Sequence, residues 1–208
     1  MRYLFIFIVH FLLIGPVSAQ KTMNKQWSSE GLNVLQIRSD EVYNIKLYSH
    51  DEPEIRMSIY VEGESNESVV LEVKKRGDTL SLETAYSPYF EAYNDKLAAH
   101  KVIAIEMVVF VPSHIGVDLE ARLASVDTYG PFNSLFVQLD QGNGIFNDFA
   151  GNGKLMARLG FIELWARDSV SGKAKSIFGK AINELPEGGQ FQVEAESRHG
   201  NVTLKSSQ

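Results

Sequence analysis

LEARLASVDTYGPFNSLFVQLDQGNGIFNDFAGNGKLMARLGFIEL, residues 119–164, decides the fold. Laid over itself at a period of about 18 residues, this stretch brings apolar and small residues into common columns. Leu119, Val137 and Leu155 align, as do Ala121, Leu139 and Ala157. Ala124, Gly142 and Gly160 follow, then Val126, Gly144 and Ile162, then Thr128, Phe146 and Leu164. Within a block the columns fall mostly two apart, the alternation of a strand with one buried face. The longer step from 121 to 124 lets the chain turn a corner, where glycine or alanine avoids crowding. Glu120, Arg122, Gln138, Asp140, Arg158 and Glu163 stand between the columns and face outward. A rung of this kind cannot bury its inner face alone, so several must stack. The expectation is an all-β, solenoid-like stack with rungs of about 18 residues. Gly144 sits one place before the apolar Ile145, which predicts a bulge or a register slip in that rung.

The pattern continues less regularly on both sides. Ala174–Ala181 reads as a further rung and Phe191–Leu204 as the last, with Asn183–Gly189 a loop between them. Upstream, Val34–Ile37, Val42–Leu47, Ile55–Val61, Val69–Val73 and Leu80–Leu82 alternate apolar and polar residues and read as antiparallel strands joined by turns. Residues 84–100 break the rhythm with Tyr86, Tyr89, Phe90 and Tyr93, and read as a long loop with a helical turn near 95–99. Val102–Val111 is the most apolar strand, expected at the centre of a sheet and buried on both faces near its end. No Pro/Ser-rich linker divides the chain. Residues 20–208 therefore read as one β domain, with N-terminal strands over 20–112 and the short repeats over 113–208.

Residues 1–19 read as a cleaved export signal. Arg2 supplies the positive end, Tyr3–Ile14 an apolar run, and Val17-Ser18-Ala19 the small residues of a cleavage site. That run is shorter than the roughly 20 apolar residues of a spanning helix, and no membrane span is expected after cleavage. The formal net charge is −6. Such an acidic chain lacks the basic patch that phosphate backbones require, so nucleic acid is not expected as a partner. The chain has no cysteine, which excludes a thiol nucleophile, a cysteine–zinc site and a thioether-linked lipid.

No pattern of residues points to catalysis. His50, His100, His114 and His199 are scattered without metal-ligand spacing. Asp140 to Asp148 is oxygen-rich but matches no calcium loop, and its glycines suit strand corners. Neither a serine-nucleophile motif nor a nucleotide loop occurs. Arg122, Asp140 and Arg158 share one outward column and read as an ion-pair ladder, worth about 0–1 kcal/mol per pair. Tyr86, Tyr89, Phe90 and Tyr93 offer rigid amphipathic area, and read either as a contact surface or as a cap over one end of the stack. No catalytic residue, cofactor or metal is expected.

The layout resembles a known group. Alternating strands lead to Val111-Pro112, glycine-rich β repeats follow, and the chain closes on Gly200-Asn201-Val202-Thr203-Leu204. Together these resemble the putative-adhesin, or head GIN domain, families of exported bacterial proteins. Asn94–Met107 is similar to the form carried by Bacteroidetes members. The resemblance implies a right-handed β-helix-like fold and a periplasmic or cell-surface setting, and supplies no catalytic residues. The expected function is non-enzymatic binding of a cell-envelope protein or glycan. The alternatives are a carbohydrate-active enzyme on a β-helix and a structural accessory protein of the envelope.

Overall fold

The computed structural model describes residues 20–63, 68–87 and 103–207. The expected export signal, the helical turn at 95–99, His100, Tyr89, Phe90 and Tyr93 lie outside them. Among the described residues no helix is long and apolar enough to cross a membrane.

Seventeen strands form among these residues. They are β1 (Gln20–Ser28), β2 (Val34–Ser39), β3 (Asn44–His50), β4 (Glu54–Glu62), β5 (Val69–Arg76), β6 (Thr79–Tyr86), β7 (Ala104–Pro112), β8 (Gly116–Ala121), β9 (Ser125–Tyr129), β10 (Ser134–Gln141), β11 (Gly144–Phe149), β12 (Asn152–Leu159), β13 (Ile162–Ala166), β14 (Val170–Ser176), β15 (Ala181–Asn183), β16 (Phe191–His199) and β17 (Val202–Ser206). They make a nine-stranded sheet, β1-β4-β7-β3-β9-β11-β13-β17-β15, and an eight-stranded sheet, β14-β16-β12-β10-β8-β2-β6-β5. From β8 onward the chain alternates between the two sheets, one strand in each.

The inward residues of both sheets share one core. In β2 and β3, Leu35, Ile37, Ile45 and Leu47 are fully buried, with polar residues between them facing out. Adjacent strands continue these rows. Leu119 lies beside Val137 and Val137 beside Leu155, and all three are buried. In the other sheet Leu47, Thr128, Phe146, Leu164 and Leu204 form a row. Each leucine or valine so placed contributes about 1.5–3 kcal/mol relative to an exposed side chain. The slip expected around Gly144 is present as a register shift between Phe146 and Phe149, where Asp148 adopts φ 52°. Gly144 has no side chain because the Phe146 ring occupies that space.

The right-handed β-helix expected from sequence is overturned. The two sheets stay separate and do not close into a solenoid, and their strand order leaves sequence order. β16 and β17 insert between β12/β13 and β14/β15, and β2 and β3 lie beside β8 and β9. The 18-residue offset is confined to β8–β13; contacts between neighbouring strands span 40 residues at β12/β16 and 82 at β2/β8. The N-terminal strands are also not uniformly antiparallel. β1/β4, β4/β7 and β5/β6 are, whereas β2 and β3 pair in parallel with both their neighbours. Alternation reports which face of a strand is buried, not its direction or neighbour. β7 lies inside its sheet, but burial on both faces is limited to Val111 and Pro112, since Phe110 is exposed.

One corner fixes the separation of the strands. At Gly142 and Gly160, with φ 135° and 140°, an added Cβ would enter the carbonyls of Ala124 and Gly142. At Gly200 it would enter that of Gly160. Gly77, at φ 59°, has open space around it. Gly160→Ala is therefore expected to cost at least ~2 kcal/mol in chemical denaturation, and Gly77→Asn under ~1 kcal/mol. Thr128 is fully buried and its Oγ1 has no hydrogen-bond partner among the described residues. Thr128→Val should thus raise stability by ~1 kcal/mol in the same assay.

Candidate binding groove

Outward residues of β8, β10, β12 and β16 build a polar face on the eight-stranded sheet. Glu120, Gln138, Met156 and Glu196 stand side by side in register. In the next outward row, Arg122, Asp140, Arg158 and Arg198 follow Ala121, Leu139, Ala157 and Ser197. Between these rows and Ile177, which follows β14, runs an open groove of about 510 Å³.

Ion pairs lock most of its charges. Arg158 grips Asp140 through Nε and Nη2, with Nη2 3.0 Å from Oδ2. This contact pulls the Asp140 carboxyl below its ordinary range and pushes the Arg158 guanidinium up. Arg122 turns instead to Asp40, 3.9 Å from its carboxylate and 3.4 Å from its carbonyl oxygen. The column expected to be a continuous ladder is thus one tight pair, Arg158–Asp140, and one loose pair, Arg122–Asp40. Arg38 holds Glu120 at 3.1 Å and Asp118 at 2.9 Å. Lys175 holds Glu196 at 2.9 Å. Arg198 is exposed and makes no ion pair or side-chain hydrogen bond among the described residues.

The opposite sheet carries aromatic residues of another kind. Tyr48 stacks on Phe110 with centroids 5.2 Å apart and on Tyr129 with centroids 4.9 Å apart, the planes inclined by 21° and 8°. The Arg56 guanidinium lies 5.3 Å from the Phe110 ring centre. Rings this close and this parallel cover one another's faces, so they stiffen adjacent strands and present edges to solvent.

Of the four aromatics singled out in sequence, Tyr86 is half-buried and packs against the core. The other three lie outside the described residues. The described histidines do not gather. His50 meets the Phe110 ring edge at 6.4 Å, His199 stacks on Phe178 at 4.6 Å, and His114 sits in the turn after β7. Asp140 and Asp148 do not form one loop site either. They lie on different sheets, and Asp148 is held by Arg167 at 2.7 Å.

Arg198, Met156 and Ile177 escaped the sequence reading. Arg198 stands beside Arg158 through an offset of 40 residues, and a search at a period of 18 cannot find it. An exposed isoleucine after a serine gives no signal by itself. Outside the groove, Asp127 is pushed up by burial and then by Glu106, and Lys46 opposes both. A raised carboxyl favours the folded state fully below its ordinary value and loses that contribution as pH rises through the raised value. Asp127→Asn should therefore raise the melting temperature at neutral pH, with the gain vanishing below about pH 4.

No protein-family model and no curated protein matches the chain. Among solved structures, a putative cell adhesion protein from Clostridium sporogenes superposes with a TM-score of 0.64 at 13% identity, over 90% of this chain and 100% of that one. Putative adhesins from Bacteroides fragilis (TM-score 0.35, 14% identity) and Parabacteroides distasonis (TM-score 0.31, 15% identity) match over 90% of this chain and 97% of theirs. The chain shares the fold of the Clostridium protein, and the adhesin resemblance read from its strands and repeats holds at that level.

Proposed function

We propose that this chain is an exported, non-enzymatic binding protein of the bacterial cell envelope, adhesin-like in holding a partner rather than transforming a substrate. The observation that carries this reading is the groove on β8, β10, β12 and β16, an open surface on strands that are paired on both sides. Support for export comes from the apolar run Tyr3–Ile14 ahead of Val17-Ser18-Ala19. Support for adhesion comes from the fold shared with the putative cell adhesion protein of C. sporogenes.

The state of the carboxylates supports the non-enzymatic half of the reading. General acid–base cleavage of a glycosidic bond needs two carboxyls across the reacting atoms, one able to carry a proton. Asp40, Glu120, Asp140 and Glu196, the carboxylates lining the groove, are each held by a cation. The carboxyls pushed upward among the described residues are Glu41 and Asp127, neither of which lines the groove.

Expression of the full chain in a Gram-negative host, with fractionation and intact-mass measurement, should yield an exported product beginning near Gln20. Applied to immobilised envelope polysaccharides and proteins, that product should bind saturably and release no new reducing ends. Turnover of any glycan would replace this reading with the carbohydrate-active enzyme.

A further inference from the structure

We infer that the groove takes an acidic oligosaccharide, with a sugar carboxylate seated on Arg198. This rests on the binding reading above and names the ligand class of the same site.

One arginine gives the groove an anion-binding group. Asp40, Asp140 and Glu196 pair with Arg122, Arg158 and Lys175, and Glu120 shares Arg38 with Asp118. Arg198 is the cation in the groove left without a partner among the described residues. A guanidinium presents a planar fork that matches a carboxylate through two parallel N–H···O bonds. Arg198 stands on the strand next to Arg158, which Asp140 holds in place.

Shape and polarity select a sugar over a peptide. The four strands under the groove are all interior to the sheet. No backbone edge is free there, so an extended peptide cannot add as a further strand. Neighbouring strands are spaced by about 4.8 Å, close to the rise of one pyranose along an extended glycan. A chain laid across β10, β12 and β16 would therefore place one residue over each. Gln138, exposed and without a side-chain hydrogen bond among the described residues, can donate and accept towards hydroxyls. The outer lone pairs of Asp140 can accept. Met156, half-buried, and Ile177, 50% exposed, supply an apolar wall for the C–H face of a ring beside Arg198.

The test is calorimetric titration of the full exported chain with oligogalacturonate, its methyl-esterified form, a neutral β-glucan oligomer and a polyglutamate peptide of similar charge. Binding of oligogalacturonate, weakened by salt and lost on esterification, is expected. Arg198→Gln should weaken it about tenfold or more, with Arg198→Lys recovering part of the loss. Both exposed-site variants should melt with the wild type. Ile177→Ser should weaken oligogalacturonate while leaving any polyglutamate binding unchanged. Unaltered affinity in Arg198→Gln, equal binding of the neutral oligomer, preference for polyglutamate, or no binding of oligogalacturonate would each overturn the inference. If other envelope material still binds without turnover, the adhesin-like reading survives that failure; glycan cleavage removes both.

Discussion

Close stacking of backbone on backbone at one corner of the fold governs the rest of the molecule. Gly142 lies so near the Ala124 carbonyl, Gly160 so near that of Gly142, and Gly200 so near that of Gly160, that no side chain fits between them. The amides of Gly142 and Gly160 reach across to Leu159 and His199 at 3.0 and 3.2 Å. With the corner held at hydrogen-bonding distance, the strands on either side must run in parallel register. Their inward side chains then fall into rows, and so do their outward ones.

The two kinds of row meet different physics. Inside, Leu119, Val137 and Leu155 exclude water and contribute by burial. Outside, the same register brings unlike charges to neighbouring strands and produces the Arg158–Asp140, Arg38–Glu120 and Lys175–Glu196 pairs. Exposed pairs add little to stability. What they do change is which charge is left over. Because β16 inserts next to β12, Arg198 falls beside an arginine whose carboxylate is already taken, and it is left without a side-chain partner among the described residues.

The two outer faces therefore differ in what they offer. On the nine-stranded sheet, Tyr48, Phe110 and Tyr129 use their faces on one another and on Arg56. On the eight-stranded sheet, Gln138, Met156, Ile177 and Arg198 keep unused hydrogen-bonding, apolar and charged surface.

The sequence by itself determined the strands, their buried faces and the local offset of about 18 residues, because alternation and glycine placement are written residue by residue. It also marked the slip near Gly144 and the outward position of Asp140 and Arg158, since both follow from counting along a strand. Strand order, the parallel pairing of β2 and β3, and the separation into two sheets came only with the tertiary structure. A strand's own residues fix which side is apolar, but its neighbour is chosen by packing among all the strands at once. Arg198 belongs to this second class: its place beside Arg158 depends on β16 entering the sheet between β12 and β14, and nothing within either strand encodes that insertion.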